Sequence, residues 1–125
     1  MANILLTGGR APVTLDLARA FHRAGHSVFM AESLGGYLSQ PSNAIKQSFV
    51  TPAPRQETEA FLSTLKRIIE EHQIDLLIPT CEEVFHIAKG LGSLPCRVFA
   101  EPLEKLDVFH NKWSFANSAK ECGLP

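Results

Sequence analysis

A chain of 125 residues, 45% hydrophobic and 20% charged with a formal net charge of −1, is long enough to form one domain around its own core and too apolar to be a disordered chain. Its near-neutral balance leaves no electrostatic footprint for nucleic acid or an anionic membrane surface, and no apolar run is long enough to span a bilayer. No basic-then-apolar secretory leader opens it. The three cysteines, Cys81, Cys96 and Cys122, are odd in number and without paired spacing, so the expected location is a reducing cytoplasm.

The opening stretch organises the rest. Ile4, Leu5 and Leu6 form a continuous apolar run, the mark of a strand covered on both faces. Thr7-Gly8-Gly9-Arg10 then reads as a tight turn, and Pro12 suits the first turn of a helix over residues 12–24. Val13, Leu17, Ala20, Phe21 and Ala24 make its expected apolar stripe, and Gly25 its left-handed cap. A second strand is expected over 26–31, carried by Val28, Phe29 and Met30. A Gly- and Ser-rich loop over 32–43 follows, then a weaker third strand over 44–50 with Ile45, Phe49 and Val50 as its apolar positions.

The clearest helix spans 56–72, with Phe61, Leu62, Leu65, Ile68 and Ile69 on its buried face. Residues 74–78 form a fourth strand. A helix starting after Thr80 and running to about Lys89 turns Val84, Ile87, Ala88 and Leu91 to the sheet. Residues 97–100 form a fifth strand, and Pro102 opens a short helix carrying Leu103, Leu106 and Phe109. Asn111 caps a last helix that buries Trp113, Ala116 and Ala119 and stops at Gly123. Strands alternating with helices predict an α/β fold: an open, doubly wound, mainly parallel sheet of about five strands with helices on both faces, Rossmann-like.

In such a sheet ligands bind at the carboxyl ends of the strands, which selects two turns. The first, Gly8-Gly9-Arg10, is either an anion cradle or a plain strand-to-helix turn; it lacks the further glycines of a dinucleotide fingerprint. Glu32, at the end of the second strand, is placed to meet a ribose hydroxyl or simply to sit at a loop start. The second turn, Pro79-Thr80-Cys81-Glu82-Glu83, should lie beside the first. There Glu82 or Glu83 contacts a polar substrate or its ammonium group, or Thr80 and Glu83 form a capping box. Cys81 stands at a helix start with no base placed for it. The five histidines, His22, His26, His72, His86 and His110, are scattered without zinc-ligand spacing, and no metal site is expected.

Three segments together resemble the N-terminal part of ATP-grasp ligases, closest to the carbamoyl-phosphate-synthase-like and carboxylate–amine ligase branch. They are the strand and glycine turn from Ile4, the run Leu76-Leu77-Ile78-Pro79-Thr80-Cys81-Glu82-Glu83, and the tail from Asn111-Lys112 to Gly123-Leu124-Pro125. The resemblance implies a Rossmann-like pre-ATP-grasp domain over residues 1–110 and a linker helix over 111–125. It implies that Lys112 reaches the nucleotide, and that Gly8, Gly9, Arg10, Thr80, Glu82 and Glu83 line the acceptor-substrate side. Such enzymes use ATP and Mg2+ to phosphorylate a carboxylate, and an amine or similar nucleophile attacks the acyl phosphate. The family's glycine-rich nucleotide loop, adenine pocket and magnesium carboxylates are not in this sequence, so these 125 residues are expected to be inactive alone, with no cofactor bound. The expected partners are small-molecule carboxylate and amine substrates; a homodimer through an outer helix stays open. Two other readings also stay open: a small NAD(P)-binding module using Gly8, Gly9 and Glu32, and a non-catalytic α/β interaction domain.

Overall fold

The computed structural model describes residues 1–100, 104–106 and 112–123, with residues 112–115 described by backbone alone. Five strands, β1 (Asn3–Thr7), β2 (Ser27–Glu32), β3 (Gln47–Val50), β4 (Leu76–Ile78) and β5 (Arg97–Val98), form one sheet in the order β3-β2-β1-β4-β5. Every pairing is parallel. The expected doubly wound α/β architecture is the one observed.

β1 lies at the centre because its residues can be buried on both sides. Leu5 pairs with Phe29 and with Leu77, and these three join one core with Phe61, Leu65, Ile68 and Ile69 of α2 (Thr58–His72) and Ile87 of α3 (Glu83–Lys89). Ile4 and Leu6 point the other way and pack with Val28, Met30, Ile78 and Ala18 of α1 (Pro12–Arg23). The chain runs outward from β1 through β2 to β3, then returns to the other side of β1 and continues to β5. Keeping one crossover hand through that reversal requires the helices to change faces, and they do: α1 covers one face, α2 and α3 the other. At about 25 cal/mol per Å2 such burial supplies most of the drive to fold, and it is densest around β1. Among the described residues no helix is long and apolar enough to cross a membrane.

Four local expectations are corrected. α1 is rotated from the expected stripe: Thr14 and Ala18 are fully buried, Leu17 and Phe21 half-buried, and Val13, Ala20 and Ala24 exposed. The small side chains let the helix approach the sheet, and the Thr14 hydroxyl finds partners there, so a polar residue wins an inward position over valine. Val50 ends the edge strand β3 and is 81% exposed, because among the described residues no further strand pairs with that edge. The Thr80–Glu83 capping box is absent: α3 starts after Glu82 with no side-chain cap, since both Thr80 and Glu83 bond elsewhere. In α4 (Lys112–Glu121) Ala116 is exposed and Ala119 half-buried. Asn111, Leu103, Phe109 and the Trp113 side chain lie outside the described residues, as do the two last residues, Leu124 and Pro125.

Candidate functional site

β1 and β4 are neighbours in the sheet, so the turns that follow them open side by side. Gly8 has φ +72° and its carbonyl accepts the Ala11 N–H at 3.0 Å, which folds the chain back into α1. From the other turn, the Thr80 hydroxyl donates to the Thr7 carbonyl at 2.6 Å and lies 2.7 Å from the Thr14 hydroxyl, which is also 2.8 Å from the Gly8 carbonyl. With the Thr80 proton on Thr7, the Thr14 proton is shared between Thr80 and Gly8. These contacts latch the two turns together.

The close approach that the paired glycines permit is used by the protein itself. A methyl group on Gly8 would stand 2.2 Å from Thr80 Oγ1, and one on Gly9 would stand 2.7 Å from the Tyr37 ring. The Ser39 N–H donates to the Gly9 carbonyl at 3.1 Å, so the loop after β2 is drawn down over the turn. At both glycines the closeness is taken up by the protein's own side chains.

Arg10 projects from the turn between two carboxylates. Its Nη1 donates at 3.1 Å to both oxygens of Glu32, at the end of β2, and its Nη2 at 2.7 Å to Glu83 Oε1, in the first turn of α3. The Glu32 side chain is 1% exposed and that of Glu83 9%, whereas the guanidinium side chain is 39% exposed. Burial works to lower the Arg10 pKa, but the hydrogen bond to Glu83 and the charges of Glu83 and Glu32 outweigh it and hold the pKa above the ordinary arginine value. One charge thus ties together β1, β2 and α3. Glu32 accepts from Arg10 and from the Ser33 N–H, and with its side chain 1% exposed it serves the fold and presents almost no surface to a ribose hydroxyl.

Beside this cluster opens a cleft of about 330 Å3, lined by Arg10, Arg55, Glu82, Glu83 and His86 together with short stretches at Ser33 and Pro54. Two buried atoms in its wall have no hydrogen-bond partner: Glu83 Oε2 and His86 Nδ1. Such groups are rare in folded proteins, and each calls for an explanation. The residues expected at the site therefore separate. Arg10, Glu82 and Glu83 line the cleft; Gly8, Gly9 and Thr80 build the turns behind it. Lys112 opens α4, and its side chain lies outside the described residues. Cys81 is exposed with φ +56° on the latch side, its sulfur 4.0 Å from the Gly8 carbonyl. His86 and Arg55 were missed by pattern reading. His86 had a signal, since it stands three residues after Glu83 and so shares its helix face; Arg55 had none. A groove of about 390 Å3 at the far end of α1, lined by Arg19, His22 and Arg23, contains no such orphaned atom.

No family model and no curated protein matches the chain by sequence. Solved structures match its fold over the entire length. The L-amino acid ligase of Bacillus licheniformis superposes with a TM-score of 0.78 at 16% identity, covering 100% of this chain and 31% of that one. The biotin carboxylase domain of a single-chain bacterial carboxylase gives 0.71 at 18%, covering 100% and 30%. N5-carboxyaminoimidazole synthetase from Staphylococcus aureus, solved with ADP, gives 0.71 at 12%, covering 98% and 30%. The chain has the fold of the matched segments of this ligase, this carboxylase and this synthetase. It spans about a third of the length of these neighbours.

Proposed function

We propose that this chain is the N-terminal, substrate-side domain of an ATP-dependent ligase that activates a carboxylate as an acyl phosphate for attack by an amine or similar nucleophile. The observation that carries the reading is the Arg10–Glu83 bridge: it joins the turns after β1 and β4 into one polar cleft, in a fold matched from end to end within ligases. Residues 1–110 supply the scaffold and part of the acceptor pocket; residues 111–125, which include α4, are the link leading onward, with Lys112 the residue that reaches the nucleotide. ATP and Mg2+ are the cofactors of the complete enzyme. The residues described here do not fit them unaided: the glycine turn is filled by Thr80 and Tyr37, and among the described residues no three His, Cys, Asp or Glu side chains gather as a metal site. The chain's own contribution is to bind and orient the acceptor. The reading places the enzyme in the cytoplasm and leaves pairing through an outer helix open.

The test is ADP release by the complete gene product supplied with carboxylate and amine, beside the 125 residues alone. The complete protein should turn over and the 125 residues should not. Turnover by the 125 residues alone overturns the assignment. Lys112→Ala in the complete protein should raise the apparent KM for ATP or lower kcat; if both stay unchanged, Lys112 leaves the site.

A further inference from the structure

We infer that the cleft beside Arg10 binds a protonated primary amine, held by Glu83 Oε2 and His86 Nδ1. Glu83 is 7% exposed, with Oε1 fixed by Arg10 at 2.7 Å and Oε2 without a partner. Its orientation is therefore set by Arg10, and the acceptor left over belongs to a residue that lines the cleft. His86 follows three residues later, one helical turn on, and its Nδ1 is equally buried and unpartnered. With its proton on Nε2, the imidazole offers a second acceptor. A carboxylate ligand would set like charge against Glu83 and leave both acceptors unmatched; an ammonium group brings the three N–H donors and the positive charge that they lack. The charges of the lining balance, Arg10 and Arg55 against Glu82 and Glu83, and the buried Glu32 bound to Arg10 adds one negative charge next to them. Arg10 is then a positioning residue, and Glu83 and His86 make the contact. That this amine is the nucleophile of a ligase rests on the proposed function; that the cleft takes an amine does not.

The experiment is an NMR titration of the chain at neutral pH, following the His86 side-chain nitrogens, with ethylammonium, propionate and tetramethylammonium as probes. Ethylammonium should bind saturably and shift the imidazole nitrogens, and the other two should not. Glu83→Gln and His86→Leu should each weaken ethylammonium by about tenfold, the loss expected for one hydrogen bond to a charged group. Should Glu83→Gln fail to fold, His86→Leu decides alone. An equal response to tetramethylammonium, which has the charge without the donors, overturns the inference. So does a preference for propionate, or folded variants that bind ethylammonium within about twofold of the parent chain. A working amine site in a complete protein with no ligase activity refutes only the proposed function. Ligase activity without ethylammonium binding refutes only this inference.

Discussion

Replacing Arg10 by methionine tests the idea that one guanidinium holds the site together. The substitution keeps much of the side chain's bulk and removes its charge and donors. It leaves Glu32, whose side chain is 1% exposed, and Glu83, 9% exposed, without the cation that bridges them. Removing one partner of a fully buried pair costs about 3–5 kcal/mol. Arg10 is itself 39% exposed, and water can enter through the cleft, so about 2–3 kcal/mol is the better expectation. For 125 residues that corresponds to a fall of about 8–11 °C in Tm. Urea unfolding of Arg10→Met, Glu32→Gln and the double variant separates this from a general packing loss. Once Arg10 is gone, neutralising Glu32 should cost much less than it does in the parent chain, giving a coupling of about 1 kcal/mol or more. A single-variant loss under about 0.5 kcal/mol, or strictly additive losses, would show that the triad contributes little and that the turn is held by the Thr80 latch alone.

Two further perturbations read other parts of the same design. Gly8→Ala and Gly25→Ala both force alanine into a left-handed conformation, at about 1–2 kcal/mol each. Only Gly8 has Thr80 in the way, at 2.2 Å, whereas nothing lies within 4 Å of the Gly25 position. Chemical denaturation should therefore show Gly8→Ala to be the more damaging by roughly 1–3 kcal/mol, the cost of a broken buried hydrogen bond, and equal losses would refute the latch. Burial, with a smaller push from Asp75, raises the Cys96 pKa above the ordinary 9.0 despite an opposing hydrogen bond with the Leu77 backbone. The unfolded thiol then ionises before the folded one. The contribution of Cys96 is complete below pH 9.0 and is lost as pH rises above it through the folded pKa. Unfolding curves across that range should slope less for Cys96→Ala, and iodoacetamide should label exposed Cys81 and Cys122 well before Cys96.

Much of the frame was legible because it depends on short-range patterning. The unbroken run Ile4-Leu5-Leu6 marked a strand covered on both faces. The 3.6-residue spacing of Phe61, Leu65, Ile68 and Ile69 marked α2, and the alternation of strand and helix left little choice but a parallel sheet. The same logic placed the turns after β1 and β4 together, and Arg10 meets Glu83 there. It failed where a local rule competed with a distant partner. Thr80 and Glu83 have capping-box spacing, but Thr7 and Arg10, more than seventy residues back in the chain, offer them better-buried bonds. α1 shows the same thing on the apolar side, since Val13 is turned outward while Thr14 is taken in by Gly8 and Thr80.

By itself the sequence determined the element order, the burial of β1 on both faces and the edge of the sheet where polar chemistry collects. Each of these follows from the apolar period and from the steric rules of βαβ connections, which act over a few tens of residues. Tertiary structure alone decided how each polar group in that crevice is used. It filled the glycine turn with Thr80 and Tyr37, gave both Glu32 oxygens to Arg10, and left one oxygen of Glu83 and one nitrogen of His86, both residues of the cleft lining, without a partner. Hydrogen bonds between turns so distant in the chain depend on distances of a few tenths of an ångström, and no spacing rule along a single chain encodes those.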